Sequence, residues 1–135
     1  MAVTGSDDTN GAVTGTVGAL LRFEGLFLLA AMILLYAWRG GPWWLFAVLL
    51  LAPDLSFAAY FAGARIGAVA YNAVHTTVVP IALLIAGFAF DQWLALSIAI
   101  IWLAHIGMDR TLGYGLKYPD AFNHTHLGRI GKVAG

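Results

Sequence analysis

The sequence predicts an all-α membrane protein: a four-transmembrane-helix bundle with a cytoplasmic C-terminal tail. Of its 135 residues, 61% are hydrophobic and only 10% are charged, whereas about a quarter of the residues of a soluble domain are charged. The mean hydropathy is +0.82. Four apolar stretches are each long enough, at about 20 residues, to cross a hydrocarbon core. These observations place the chain in a bilayer with membrane lipids as partners, and they argue against nucleic acid as a partner.

The two ends of the chain are predicted to lie outside the membrane. Residues 1–17 are small, polar and acidic, and they lack the basic start and apolar segment of a signal peptide, so we expect a disordered tail. The transmembrane domain is expected at residues 18–113 and a polar tail at residues 114–135. Because the chain has no cysteine, disulfides and thiolate metal sites are excluded.

The first two spans are predicted at residues 19–38 and 43–62, with a glycine-rich turn between them. Arg22 can reach the headgroups, whereas Glu24 lies deeper and is expected to face inward. Pro53 lies near the middle of the second span. Because proline removes a backbone donor and clashes with the preceding turn, we expect a kink there that exposes carbonyl groups beside Asp54.

The third and fourth spans are predicted at residues 66–88 and 92–112. Asn72 and His75 share a helix face in the third span, and His105 and Asp109 do so in the fourth. Gly63 and Gly67 have the spacing of small residues that lets helices approach closely, which predicts a homodimer through these two glycines.

The distribution of basic residues predicts the orientation. With four spans both termini lie on one side, and Arg39 is the one basic residue in the loops of the other side. The basic residues on the side of the termini are Arg22, Arg65, Arg110, Lys117, Arg129 and Lys132. The positive-inside rule therefore predicts that both termini are cytoplasmic.

Polar residues from all four spans are predicted to fall at a similar depth, between the midplane and the cytoplasmic side. We therefore expect them to surround one wet cavity. The predicted metal ligands are Asp54, His75, His105, Asp109 and, from the tail, His126. The predicted catalytic residues are Glu24, His105 and Asp109. The predicted substrate-binding residues are Asn72, Arg110, Tyr114 and Lys117.

Short motifs spread over nearly the whole chain after the tail resemble a known family. They are LRFEG at 21–25, PDLS at 53–56, YN at 71–72 with HT at 75–76, HIGMDR at 105–110, GYGLKY at 113–118 and THLG at 125–128. The pattern is similar to that of small bacterial four-span proteins catalogued as a domain of unknown function, number 4260. The resemblance implies the four-span topology and a bacterial inner (plasma) membrane, and it implies no activity.

A more distant likeness is to the membrane-bound metal-dependent hydrolases. Pro53 with Asp54, then His75, then His105 with Asp109 resemble the order of motifs in those proteins. Their first two sites are richer in histidine and acid than the corresponding segments of this chain. The likeness implies a divalent metal, for which zinc suits the nitrogen and oxygen ligands best. It also implies hydrolysis of an anionic lipid-like substrate received by Arg110 and Lys117.

Other interpretations use the same residues. His105 and Asp109 can form a purely structural hydrogen-bonded pair, and Glu24 can form a salt bridge with Arg110 or Arg65.

Two other functions are open. A proton-coupled transporter or binding protein could use a relay of acidic and histidine side chains: Glu24, Asp54, His75 and Asp109. A haem protein could use His75 and His105 as axial ligands.

Overall fold

The computed structural model describes residues 15–116, 124–125 and 128–129, and it confirms the predicted all-α bundle. Four helical segments are long and apolar enough to cross a membrane: Gly15–Arg39, Trp43–Ala62, Ala64–Ala89 and Trp93–Leu112. The first helix begins at Gly15, so the last three residues of the predicted N-terminal tail are helical. The rest of that tail lies outside the described residues.

The second and third spans each consist of two helical pieces. The elements in chain order are α1 (Gly15–Arg39), α2 (Trp43–Leu50), a 3-10 helix (Ala52–Ala62), α3 (Ala64–His75), α4 (Val78–Ala89), α5 (Trp93–Leu112), β1 (His124–Thr125) and β2 (Gly128–Arg129). The two short strands pair antiparallel, with His124 opposite Arg129 and Thr125 opposite Gly128.

Helix α5 is the centre of the bundle. It packs against α1, α2 and α4, while α3 packs against the 3-10 helix. Most of α5 between Leu96 and Asp109 is buried, whereas α1 buries only Gly18, Gly25 and Tyr36. Large apolar side chains such as Phe27 and Leu34 are exposed along α1. A hydrophobic outer surface of this kind is what a helix facing lipid requires.

Two glycines let α1 and α5 touch at the backbone. A Cβ atom on Gly107 would lie 2.7 Å from the Leu29 nitrogen and 2.8 Å from the Gly25 carbonyl oxygen. A Cβ atom on Gly25 would lie 2.4 Å from Cβ of Arg110. The absence of side chains at both positions therefore sets how closely α5 approaches α1.

The glycines predicted to form a homodimer contact have different surroundings. Gly67 is buried under the ring of Tyr60 from the same chain, whereas nothing lies within 4 Å of a Cβ atom built on Gly63. The homodimer stays a prediction, and the face of Gly67 is already used inside the subunit.

Proline interrupts the second span, as the sequence predicts. Pro53 has no N–H, and the chain after it continues as a 3-10 helix. The Asp54 nitrogen donates to the Leu51 oxygen at 3.2 Å, three residues back. The Leu50 oxygen, which this nitrogen would meet in an α-helix, is thereby left for another donor.

The third span, predicted at residues 66–88, is confirmed as Ala64–Ala89, and within it the helix breaks at Thr76 and Thr77. Thr76 is extended, with φ −80° and ψ 147°. The physical reason is Pro80, which removes the N–H that would bond to the Thr76 carbonyl and whose ring clashes with that carbonyl. Pro80 then lies in the first turn of α4, where proline is tolerated.

Candidate metal centre

Four of the predicted metal ligands converge inside the bundle. Asp54 of the 3-10 helix, His75 at the end of α3, and His105 and Asp109 of α5 each offer one ligating atom, and these four atoms lie within 4.8 Å of one another. His105 and Asp109 meet because residues four apart share a helix face. The other two are brought to them by the tertiary fold.

The ring of His105 is oriented by the proline break in the second span. Its Nδ1 lies 2.5 Å from the Leu50 carbonyl oxygen, whose α-helical donor, the Asp54 nitrogen, bonds to the Leu51 oxygen instead. A carbonyl oxygen can only accept, so Nδ1 must carry the proton. The Nε2 atom of neutral His105 is then a bare lone pair, and it faces the cluster.

The ring of His75 is held in the same tautomer by its own helix. Its Nδ1 lies 2.8 Å from the Tyr71 carbonyl oxygen, one turn earlier. The Tyr71 ring stacks on the imidazole, with centroids 3.7 Å apart and planes 11° apart. Phe57 stacks on the other side of Tyr71 at 5.3 Å. The Nε2 atom of neutral His75 is therefore also a bare lone pair.

The two lone pairs face each other. Nε2 of His75 lies 3.1 Å from Nε2 of His105, and neither neutral ring has a proton there to form a hydrogen bond. Oδ2 of Asp109 lies 3.4 Å from His75 and 3.1 Å from His105. Electron-rich atoms at these distances repel unless positive charge lies among them. Either added protons or a metal cation would supply that charge.

The spacing fits a tetrahedral metal site. Oδ1 of Asp54 lies 3.7 Å from Nε2 of His75 and 3.3 Å from Nε2 of His105. Ligands about 2.0 Å from a tetrahedral zinc ion are about 3.3 Å from one another. The five distances that involve a histidine nitrogen, between 3.1 and 3.7 Å, scatter around that value, whereas the four atoms as a set lie within 4.8 Å of one another.

The four ligands differ in exposure. The side chains of His105, His75 and Asp109 are 0%, 3% and 11% exposed, whereas that of Asp54 is 37% exposed. Three ligands are therefore enclosed by protein, and the fourth lies at an accessible edge of the cluster. Catalytic zinc sites commonly have three protein ligands and one open position.

Side chains of α5 donate to the carbonyl groups that the two helix breaks leave without partners. His105 donates to Leu50 in the second span. In the third span, Nε1 of Trp102 donates to the Val74 oxygen at 2.6 Å, and Nη2 of Arg110 donates to the His75 oxygen at 3.3 Å. Buried carbonyl groups in a membrane need such donors. The same contacts hold the broken spans against α5 and so position Asp54 and His75.

Glu24 does not belong to the cluster. The prediction that it faces inward is wrong, since its side chain is exposed. Its neighbour Gly25 faces α5, and successive residues of a helix point about 100° apart, so Glu24 lies at the edge of the bundle. The expected salt bridge is also absent, because no basic side chain in the described part of the chain pairs with Glu24.

The other predicted residues lie around the cluster or outside the described residues. Asn72 is half-buried on α3, Arg110 is half-buried beside Asp109, and Tyr114 is 39% exposed beyond the end of α5. Lys117 and His126 lie outside the described residues. Their predicted roles in substrate and metal binding stay predictions.

Two residues of the site were not predicted from the sequence. Tyr71 is 1% exposed, stacks on His75 and has its hydroxyl 3.5 Å from Oδ2 of Asp109. Trp102 donates to the break before His75. The spacing of four between Tyr71 and His75 is the one signal that could have indicated the stack.

Two cavities are lined by residues that neighbour the cluster in sequence, and none of the four cluster residues is in the lining of either. One, of about 260 Å³, is apolar and is bounded by Pro53, Val74 and Trp102 together with neighbouring aliphatic side chains. The other, of about 280 Å³, lies between α1 and α5 and is bounded by Glu24, Thr77 and Arg110 with aliphatic neighbours. Pro53, Val74 and Arg110 are each adjacent in sequence to a member of the cluster.

A family model described as a domain of unknown function, DUF4260, matches residues 18–130. The chain belongs to the DUF4260 family. The matched region contains all four residues of the cluster, and it confirms the resemblance inferred from the sequence motifs. No curated protein and no solved structure matches the chain. Membership in DUF4260 carries no activity, and the membrane spans rest on the length and hydropathy of the helices.

Proposed function

We propose that this DUF4260 protein is an integral membrane metalloprotein that hydrolyses a lipid-like substrate with an anionic group. His75, His105 and Asp109 would hold a divalent cation, with Asp54 at the accessible edge. One observation carries the proposal: both imidazoles use Nδ1 for a carbonyl group, and both turn Nε2 toward the same carboxylate oxygens.

Zinc fits the ligand set best. Two imidazoles and one or two carboxylates are a usual zinc environment, and the distances from the two histidine nitrogens match tetrahedral coordination. The carbonyl groups bonded to Nδ1 of each ring fix the tautomer that ligation requires, which is the ordinary arrangement around metal-bound histidine.

Hydrolysis is supported by the open edge and by the neighbouring charges. A bound zinc ion acidifies a water molecule and polarises an ester or phosphoryl oxygen. The Asp54 carboxylate, at the accessible edge, is suited to accept a proton from that water. Arg110, beside Asp109, is suited to bind the anionic group of the substrate. Tyr71 and Phe57 close the opposite side of His75.

Metal analysis of the purified protein tests the first part. We expect about one zinc per chain in the wild type, none in His105→Ala, and a weakened site in Asp54→Asn, in which three ligands remain. Asp91→Asn, at the other end of the bundle, is the matched control and should keep full zinc. A wild type that stays free of metal after growth and dialysis with zinc would overturn the proposal.

Product analysis tests the second part. The zinc-loaded protein in detergent micelles is incubated with phospholipids, and released fatty acids and headgroups are measured by mass spectrometry. We expect one bond to be cleaved by the wild type, and cleavage to be lost in Asp54→Asn while part of the zinc stays bound. Retained zinc with no cleavage of ester or phosphodiester bonds would contradict hydrolysis and leave a structural metal site.

The alternative functions fit the geometry less well. Two axial nitrogens on one haem iron would lie roughly 4 Å apart, at about 2.0 Å each from the metal, whereas those of His75 and His105 are 3.1 Å apart. A transport relay would have to continue to the other end of the bundle. That end is filled by Tyr36, Ile100 and Ile101 with apolar neighbours.

We also propose that the protein lies in a bacterial inner membrane with both termini cytoplasmic. The support is the distribution of basic residues, with Arg39 alone among them on the side of the short loops at residues 40–42 and 90–92. Because the chain has no cysteine, single-cysteine labelling is clean. An impermeant maleimide should label Asp91→Cys in intact spheroplasts and Ser6→Cys only after lysis. The reverse pattern would contradict this orientation.

A further inference from the structure

The cavity between α1 and α5 carries two opposite charges. Glu24 of α1 and Arg110 of α5 both line it, together with Thr77 from the break in the third span, and the remaining walls include Leu28 and Ile106. Its volume is about 280 Å³. Small-molecule sites are typically concave, mostly apolar and equipped with a few polar groups of this kind.

The two charges do not neutralise each other. Arg110 reaches toward the helix break, where Nη2 donates to the His75 oxygen at 3.3 Å. Among the residues that the structure describes, none forms an ion pair with the Glu24 carboxylate. A carboxylate next to apolar walls is costly without a partner. The cavity wall therefore contains one acidic and one basic side chain that are not paired with each other.

The cavity lies at the level where the bundle meets the membrane surface. Gly25 packs against Arg110 and Thr111, which are in the last turn of α5. His105 lies about 8 Å further along α5 toward the middle of the bundle, at about 1.5 Å per residue. On α1, Leu20, Phe23 and Phe27 are exposed around Glu24, so an apolar surface for lipid tails borders the charged cavity.

We infer that this cavity binds the headgroup of a zwitterionic aminophospholipid, with the phosphate at Arg110 and Thr77 and the primary ammonium at Glu24. The inference rests on the proposed function for its catalytic meaning, since it names the substrate class of the same site. A headgroup whose only charge is its phosphate would place a second negative charge near the Glu24 carboxylate. A headgroup that also carries an ammonium group places a positive charge there, which attracts the carboxylate. The phosphate would then lie beside Asp109, at the edge of the metal cluster.

A soluble amino-phosphodiester has the same chemistry as the lipid headgroup. The exposed apolar side chains of α1 and the aliphatic walls of the cavity favour the lipid, because they bury chains that the soluble compound lacks. The experiment therefore includes glycerophosphoethanolamine as a competitor.

Lipid selection by the full-length protein tests the inference. The protein is placed in nanodiscs with equal amounts of phosphatidylethanolamine and phosphatidylglycerol, and the lipids that stay bound are counted by native mass spectrometry. We expect phosphatidylethanolamine to exceed phosphatidylglycerol by about fivefold, the ratio that one exposed charge pair provides. Glu24→Gln, which keeps the side-chain volume, should bring the ratio close to one.

Three further samples separate the possible outcomes. Asp91→Asn removes the same charge at the other end of the bundle and should keep the preference. Asp54→Asn weakens the metal site and should also keep it, so failure of the metal proposal does not imitate failure of this one. Excess glycerophosphoethanolamine should displace little phosphatidylethanolamine. Equal binding of both lipids by the wild type, an unchanged ratio in Glu24→Gln, or full displacement by the soluble compound would overturn the inference.

Discussion

Two adjacent regions of the bundle, one toward each end of α5, are both buried around that helix but are held together differently. Ile101 and His105 lie one turn apart on α5 and are both fully buried. Around Ile101 the neighbours are apolar, and the aromatic rings of Tyr36, Trp43 and Phe46 pack 5.2 to 5.3 Å apart. Around His105 the neighbours are carboxylates, an imidazole and a carbonyl group.

The difference shows what a polar site inside a membrane requires. At the apolar end, close packing is enough, and the helices there are regular. At the polar end each buried nitrogen and oxygen needs a partner. The two proline breaks supply those partners as free carbonyl groups, and α5 supplies the donors. The helix breaks and the polar site therefore occur together, because the breaks supply the acceptors that the buried donors of the site require.

The largest difference between the two regions is expected in zinc content, when alanine replaces His105 in one variant and Ile101, one turn away on α5, in the other. His105→Ala removes a ligand and leaves the Leu50 carbonyl without its donor, so we expect complete loss of zinc and destabilisation by about 3 kcal/mol or more. Ile101→Ala should cost about 2 to 4 kcal/mol through its cavity and keep full zinc. Zinc content and SDS-induced unfolding measure both. Equal zinc content in the two variants would contradict the prediction that, of these two residues, only His105 binds the metal.

A methyl group at the α1–α5 contact is expected to have the next largest effect. In Gly107→Ala the new Cβ would meet backbone atoms of Leu29 and Gly25 at 2.7 and 2.8 Å, so the helices must separate. We expect destabilisation by about 1 to 3 kcal/mol. At the apolar end, Gly87→Ala meets mainly the flexible side chain of Leu96 and should cost less. Unfolding midpoints test this, and the reverse order would contradict it.

Restoring the helix at the first break tests whether the breaks serve the site. Pro53→Ala returns the N–H that bonds to the Leu49 carbonyl in an α-helix, so the helix can continue and the Asp54 nitrogen can bond to the Leu50 carbonyl in place of His105. Loss of such an orienting bond should weaken zinc binding about tenfold, as measured by competition with a chelator. Pro42→Ala, at the far turn, is the control and should leave the affinity unchanged. Unchanged zinc affinity in Pro53→Ala would contradict the prediction that the helix break supports the metal site.

The smallest effect is expected from a substitution that removes one hydrogen-bond donor and leaves every metal ligand in place. Trp102→Phe keeps an aromatic ring and removes the bond of 2.6 Å to the Val74 oxygen, for an expected cost of about 1 kcal/mol. Zinc content should stay complete, because Trp102 touches no ligand atom in the cluster. Trp44→Phe, on an exposed side chain of α2, is the comparison and should have no measurable effect on unfolding. Loss of zinc in Trp102→Phe would contradict a purely supporting role.

Much of the fold and part of the site could be predicted from residue order. The apolar runs and their length predict four spans, and Pro53 predicts the first break. The spacing of four between His105 and Asp109 predicts that they act together. Pro80 carries the corresponding signal for the third span, and its effect falls on the Thr76 carbonyl one turn earlier, where the structure has the second break.

The surroundings of Glu24 could not be predicted in this way. Depth along a helix follows from counting residues, whereas direction depends on which face the neighbouring helix covers. Gly25 brings α5 onto its own face, so Glu24 lies at the edge of that contact, exposed and in the wall of the cavity between α1 and α5.

The sequence by itself determined that this DUF4260 chain spans a membrane four times and which of its residues are able to bind a metal, because length, hydropathy and residue type are local properties. Only the tertiary structure decided that Asp54 and His75 reach the pair on α5. It also decided that both imidazoles turn Nε2 toward one another. Those outcomes depend on hydrogen bonds between different helices, from His105 to Leu50 and from Arg110 to His75, and no spacing along one helix specifies them.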